Sequence, residues 1–352
     1  MYVSARQTYL HDRVAAVSNR VAEVANGQQL EVLEHSRRFL KVKTEKNEIG
    51  WIEERAVIDG KAHDAFVELA SQHKRDPLVA NGTLRDDIYL HILPGRDAEH
   101  FYLLTANAKV EMLARASVPK TGAPGMGAVS RQPAQGVQAA GKAPVAAKAP
   151  SAPVQPDAEA APLEDWWLVR DSQGHTGWLL AGRLDVDVPD EIGTYAEGQR
   201  IVGAYILKKV TDPEASTPNH EVPEYVTVLS PMKAGLPFDF DQVRVFTWSI
   251  KHHRYETAFR LHPIAGYLPV RTGFEQGPGG TQPVFSFQIS NGSTIVTDPK
   301  TGIARPASSR TISYMMIDTQ LKRTGSDLGP IPITHSADTK PNQGKQAKKK
   351  SR

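Results

Sequence analysis

One hairpin is written twice in this chain. Phe39-Leu40-Lys41-Val42-Lys43 precedes Ile49-Gly50-Trp51-Ile52, and Trp166-Trp167-Leu168-Val169-Arg170 precedes Thr176-Gly177-Trp178-Leu179. In both copies the valine and the glycine are eight positions apart, so paired strands flank turns at Glu45-Lys46-Asn47 and Ser172-Gln173-Gly174. Period-two alternation around a turn of fixed length signals strands, and its duplication restricts the region to two small β units of one plan. Weaker echoes extend the match upstream. Leu10-His11-Asp12-Arg13-Val14 is matched with Leu84-Arg85-Asp86-Asp87-Ile88, and Leu30-Glu31-Val32-Leu33-Glu34 with Val110-Glu111-Met112-Leu113-Ala114.

Most of the remainder also alternates at period two, as in Tyr225-Val226-Thr227-Val228-Leu229, so the chain is expected to be mainly β. The exception is 59–76, where Ala62, Ala65, Phe66, Leu69 and Ala70 recur at helical spacing between an N-cap at Asp59 and Pro77. Residues 119–164 hold 13 alanines, 8 prolines, 5 glycines and no aromatic residue. Such a stretch cannot build a core and reads as a disordered insert within the second unit. Its Pro150-Ser151-Ala152-Pro153-Val154-Gln155-Pro156 segment has the spacing of a polyproline helix and reads as a spacer. The end of the chain reads as a disordered basic tail, in which Lys340, Lys345, Lys348, Lys349, Lys350 and Arg352 outnumber Asp338. With a formal charge of +3 for the whole chain, the remainder is net negative. The expected boundaries are 1–58, 59–76 (connecting helix), 77–187, 188–322 and 323–352.

The chain has no cysteine, which excludes disulfides, thiolate nucleophiles, cysteine-bound zinc and a lipid-modified cysteine. No run of 18 apolar residues occurs, so no integral membrane segment is expected. The chain opens at Met1-Tyr2-Val3-Ser4 directly in an expected strand, without the charged and then apolar pattern of an export signal. A start that has lost such a signal is kept among the expectations.

The order of the duplicated segments resembles the bacterial SH3 (SH3b) family: an opening strand, an apolar strand after a glycine turn, an aromatic-x-x-valine strand, a turn, and a glycine-tryptophan-aliphatic strand. The resemblance covers residues 2–58 and about 80–187 without the insert. It implies two SH3-like small β-barrels joined by a short helix, on a periplasmic or cell-envelope protein that binds peptidoglycan or a peptide or protein partner. The family tryptophan of the aromatic-x-x-valine strand stands at Trp166 and is replaced by Phe39 in the first copy. Trp51 and Trp178 read first as core residues beside their glycines. Trp166 and Trp167 alternate on a strand and point to opposite faces, one to the core and one half-exposed. Exposed aromatics offer flat apolar area to sugars or prolines, so Trp166 is the first candidate for a ligand groove, followed by Phe39, Tyr89, Trp178 and Trp51.

Residues 188–322 have no counterpart in the repeat. Strands are expected at 200–210, 222–230, 242–250, 254–261, 266–271, 283–290 and 311–318, forming an antiparallel sandwich, an open barrel or a blade-like sheet. Tyr255, Thr257, Phe259 and Leu261 alternate to give one buried face. His252-His253 falls at a turn and reads as a solvated loop rather than metal ligands, and Asp239 and Asp241, with Phe238 and Phe240 interleaved, as the polar face of a strand entrance. Gly277-Pro278-Gly279-Gly280 reads as a flexible loop. With no serine elbow, phosphate loop or metalloprotease helix in the sequence, no catalytic residue, cofactor or metal is expected. The leading expectation is a non-enzymatic envelope binding protein. Its rivals are an enzyme with its site in 188–321, targeted by the modules, and weak polyanion or nucleic-acid binding through Lys345, Lys348, Lys349, Lys350 and Arg352.

Overall fold

The structure, a computed structural model, describes residues 1–120 and 161–332. Pro150–Pro156 and the tail cations Lys345, Lys348, Lys349, Lys350 and Arg352 lie outside the described residues. The fold is mainly β, with several antiparallel sheets, none closed into a barrel. No helix among the described residues is long and apolar enough to cross a membrane.

The first unit comprises β1 (Tyr2–Val3), β2 (Gln7–His11), β3 (Arg20–Ala25), β4 (Glu31–Ser36), β5 (Phe39–Lys43), β6 (Ile49–Glu53) and β7 (Val57–Ile58). Helix α1 (Gly60–His73) follows, its first turn capped by the Asp59 carboxylate, which accepts from the Ala62 N–H at 2.6 Å. The second unit comprises β8 (Ala80–Leu84), β9 (Ile88–His91), β10 (His100–Leu104), β11 (Lys109–Pro119), β12 (Leu163–Arg170), β13 (Thr176–Leu180) and β14 (Leu184–Val186).

The second sheet runs β10-β9-β13-β12-β11-β8-β14, and the first runs β3-β2-β6-β5-β4, with β1-β7 joined to it through a bridge between Tyr2 and Gln29. The strand sequences therefore correspond one for one. So does the detail. A bulge interrupts the ladder at Leu33 between β4 and β5 and at Leu113 between β11 and β12. The glycine of each hairpin sits under a crossing strand: a Cβ on Gly50 would lie 2.7 Å from the Leu10 Cβ, and one on Gly177 would lie 2.7 Å from the Leu90 Cβ. No side chain fits there, and the strand bearing the next residue is thereby fixed against its neighbour. Trp51 lies opposite His11 and Trp178 opposite His91.

This register corrects the upstream echo. The counterpart of Leu10-His11 is Leu90-His91, within a Tyr-Leu-His tripeptide that occurs at 9–11 and at 89–91. Leu84 instead occupies the place of Val3: Gly27 N–H donates to the Val3 carbonyl as Asn107 N–H does to that of Leu84. The longer β8 displaces the apparent match.

After α2 (Asp190–Gly193), β15 (Arg200–Thr211), β16 (Glu221–Ser230), β17 (Gln242–Ser249) and β18 (Arg254–Leu261) form one meander. Then come β19 (Gly266–Gly277), β20 (Gly280–Ser290), the hairpin β21 (Ile295–Thr297) and β22 (Ala304–Pro306), β23 (Ser309–Ile317) and β24 (Gln320–Thr324), with sheet order β19-β20-β23-β24. Val226, Val228, Val243 and Val245 of the meander share one apolar cluster with Phe285, Phe287, Ile312 and Tyr314 of the second sheet.

Four local expectations are corrected. Pro278-Gly279 is the turn of a tight hairpin in which Gly277 pairs with Gly280, Gly279 taking a φ of 82° that favours glycine. A bulge at Ala258 divides the Tyr255–Leu261 alternation between two faces, with Tyr255 in one cluster while Phe259 and Leu261 pack on another. The β11-β12 ladder runs on to Pro119 and Leu163, so both ends of the supposed 119–164 insert are paired strand. Arg323 and Thr324 close β24, and Arg310 and Arg323 hold Asp327, so the described residues from 323 to 332 are not a free tail.

The cores divide unevenly. Val3, Leu10, Val24, Leu40, Val42 and Ile52 form a separate cluster in the first unit, whereas Leu90, Phe101, Met112, Trp167 and Leu179 of the second unit are continuous with the core of the paired sheets. A buried ion cluster fastens that junction. Arg115 donates from Nε to Asp239 at 3.2 Å, from Nη1 to Asp165 at 3.2 Å, and from Nη2 to the carbonyls of Leu236 and Phe238. Asp165 also accepts from Ser117, Gly235 N–H and Arg200, and Asp239 from Leu268 N–H and Arg305. Asp239 and Asp241 are thus interior groups, not the polar face of a strand entrance. Asp241 has its own partners, Gln199 and His262, and burial raises its pKa.

Two outcomes follow from this packing. Gly177→Ala and Gly50→Ala each lower stability by about 1–3 kcal/mol in urea titrations, because the added methyl overpacks a strand crossing. Arg115→Met costs about 3–5 kcal/mol at neutral pH, since two carboxylates are left buried without their shared cation. Burial works to raise the pKa of Asp165, but Arg115, Gly235 N–H and Ser117 outweigh it and hold the carboxyl below its ordinary value. Its contribution is therefore complete above the unfolded value of about 3.9 and fades as pH falls through the lowered folded one. The deficit of Arg115→Met measured by urea titration shrinks in that acid range.

Candidate functional site

The alternation of β5 and β6 sends Leu40, Val42 and Ile52 inward and Phe39, Lys41, Trp51 and Glu53 outward. On the outer face of the first unit, Trp51 is half-buried beside His11, and the Lys41 ammonium stands over its ring, 6.0 Å from the centroid. On β2, Tyr9 lies two residues from His11 and so on the same face, with the Arg20 guanidinium 4.0 Å above its ring. Neither cation is paired with a carboxylate among the described residues. Phe39, also half-buried, lines a cavity of about 560 Å³ with Arg38, Glu53, Glu54 and Arg55. The face therefore presents three rings, two of them carrying a cation free to meet an anion. An aromatic surface of this kind offers flat apolar contact, and its cations add charge selectivity.

The second unit carries the same positions with a different fate. Trp166 is 2% exposed and Trp178 1%. They form a cluster with Leu113, Ala114, Ala116 and Leu168, against which Leu69 of α1 and Ile303 from the β21-β22 hairpin pack. The sequence expectation that one of Trp166 and Trp167 would be half-exposed is corrected, because both faces of β12 are covered by distant parts of the chain and Trp167 is buried as well. Trp166 cannot line an open groove. Its indole N–H is buried without an acceptor, and the His91 ring meets it edge-on at 5.1 Å. Where the open face has Lys41, the covered one has Leu168.

Of the five groove candidates, Phe39 and Trp51 are brought together on the first unit, and Trp166 and Trp178 are sealed. Tyr89 is half-buried on the second unit, 4.8 Å from His100, as Tyr9 is beneath Arg20. Burial, with the charge of His100, lowers the pKa of His91 beside them. Sequence reasoning missed Tyr9, His11, Arg20 and Lys41. The repeated Tyr-Leu-His was the available signal for the first two. A groove of about 850 Å³ between the units, lined by Arg6, Asn26, His63, Tyr102, Lys109 and His175, differs in character, since Arg6 is paired with Asp87 and Lys109 with Asp187.

His252 and His253 lie exposed in the β17-β18 turn, as expected, and are paired there: His253 meets Asp212 at 2.8 Å and Glu214 at 3.1 Å, and His252 meets Glu256 at 3.0 Å. Asp212 also accepts from the Trp248 indole at 2.7 Å, and these bonds hold its pKa below the ordinary value. The arrangement ties the 212–220 loop to the β17-β18 turn. No family model matches the chain, and no curated protein matches it.

The contrast between the two faces is measurable. Trp178→Ala costs about 3–5 kcal/mol in urea denaturation, whereas Trp51→Ala, from a face already wet, costs clearly less.

Proposed function

We propose that this chain is a non-enzymatic binding protein of the cell envelope, in which residues 1–58 and 77–187 are two SH3b-like modules and 188–322 is a β-sandwich. On this reading the first module binds peptidoglycan through Tyr9, Trp51 and Phe39, with Lys41 and Arg20 reaching anionic groups. The second module is an anchor built into the sandwich. The observation that supports this assignment is the difference between equivalent faces: Trp51 is open and overlain by an unpaired cation, whereas Trp178 is buried under the chain's own helix and hairpin. Sugar rings present flat apolar faces to aromatics, and the carboxylates of the wall peptides complement the cations.

Co-sedimentation with purified sacculi tests it. The full chain pellets at moderate salt, and Trp51→Ala and Phe39→Ala each weaken binding by about tenfold or more, a loss of about 1.4 kcal/mol. Lys41→Leu, which gives the first module the residue of the second, weakens binding in a salt-dependent way while leaving the urea midpoint unchanged. Failure to pellet, or equal pelleting of all variants, overturns the reading.

A further inference from the structure

The groove of about 850 Å³ between the two units draws its walls from distant parts of the chain. The first unit supplies Arg6 and Asn26, α1 supplies His63, β10 supplies Tyr102, and the β12-β13 turn supplies Gln173 and His175. The turn of the second hairpin thus borders the groove, although the outer face of that hairpin is sealed. Asn26 fixes the walls: its side chain donates to the carbonyls of Ser4 and Phe101 at 2.9 Å each and accepts from the Leu103 N–H at 3.0 Å. The rings are held as well, His63 stacked on Tyr2 at 3.7 Å and Tyr102 on His175 at 3.8 Å. The walls therefore need no rearrangement to receive a ligand, which lowers the cost of binding.

The charged groups of the lining are already spent. Arg6 pairs with Asp87, Lys109 with Asp187 at 2.9 Å, and Asp171 with the Nδ1 of His175 at 2.9 Å. What is left open is of one kind. The Tyr102 hydroxyl and the Nε2 atoms of His63 and His175 are accessible and unbonded among the described residues, and Thr105, Ser172 and Gln173 are exposed with unbonded side chains. Hydroxyls, primary amides and neutral imidazoles offer both donor and acceptor, as the hydroxyls of a sugar do, whereas a carboxylate only accepts and a guanidinium or ammonium only donates. We propose that this groove binds an uncharged oligosaccharide. Its hydroxyls meet these open groups, and its apolar ring faces lie against Tyr102 and Leu103 on the floor of the groove. The volume is that of established small-molecule sites, and a junction between folded units is where such sites are preferentially found. The groove shares no residue with the Trp51 face and does not depend on the peptidoglycan reading.

Isothermal titration calorimetry of the full chain with cellotriose, maltotriose and triacetylchitotriose tests the assignment. At least one of these sugars binds with Kd below about 1 mM. Trigalacturonate, which adds carboxylates, and the capped peptide acetyl-triglycine amide each bind at least about tenfold more weakly. Gln173→Ala and Tyr102→Phe each weaken the sugar by about threefold to tenfold and leave the urea midpoint unchanged, because neither removed group has a partner among the described residues. Trp51→Ala leaves this affinity unchanged, so the groove and the Trp51 face fail separately. No saturable binding of any of the three sugars, affinity for trigalacturonate or the capped peptide equal to that for the best sugar, or full affinity in both groove variants overturns the proposal.

Discussion

A single guanidinium, that of Arg115, holds the larger part of this molecule in register. It reaches from β11 across the junction to Asp239 and to the carbonyls of Leu236 and Phe238, and it shares Asp165 with Ser117, Gly235 and Arg200. Isolated buried charges are costly, and an ion cluster of this kind adds little stability over an apolar substitute. Its effect is one of specification. In the docking of the second unit on the paired sheets all these donors and acceptors meet, and the same docking brings Ile303 onto the cluster containing Trp166 and makes the apolar core continuous.

The two hairpins then illustrate how one local plan serves two ends. Glycine under the crossing strand, tryptophan opposite histidine, and the bulge at the same place in the ladder are common to both. What differs is the surroundings. Where the chain folds back over the sheet, the outward residue on the strand is Leu168; where water reaches it, Lys41 stands there and stacks on tryptophan. Burying an ammonium beneath α1 would require a partner that the covered face lacks. The exchange of lysine for leucine follows from coverage and from nothing in the hairpin itself.

That distinction also sets what was legible beforehand. The strand segments 39–43, 49–52, 166–170 and 176–179 could be read because a glycine at a crossing and period-two alternation are written locally. Helix α1 was legible for the same reason, its cap and apolar positions being neighbours in sequence. The burial of Trp166 was not, because its cover comes from Leu69 and Ile303, far away along the chain on either side. Neither was the role of Arg115, an arginine in an alternating strand whose partners are an aspartate fifty residues on and another beyond 230. Bulges escape pattern reading altogether: the extra residue at Ala258 leaves the alternation of the letters intact while exchanging the faces they occupy.

The β11-β12 ladder ends in a way that bears on what the chain can tolerate. Its last pair joins Pro119 to Leu163, and Lys120 N–H donates to the Pro162 carbonyl at 2.8 Å. The sequence between Lys120 and Pro162 therefore starts and finishes at one point of the sheet, and the strands do not register how long it is. For any flexible segment closed at such a point, doubling the length costs only about 0.6 kcal/mol. The position is a graft site: sequence added there leaves and re-enters the sheet at the same point, so the described strands keep their partners.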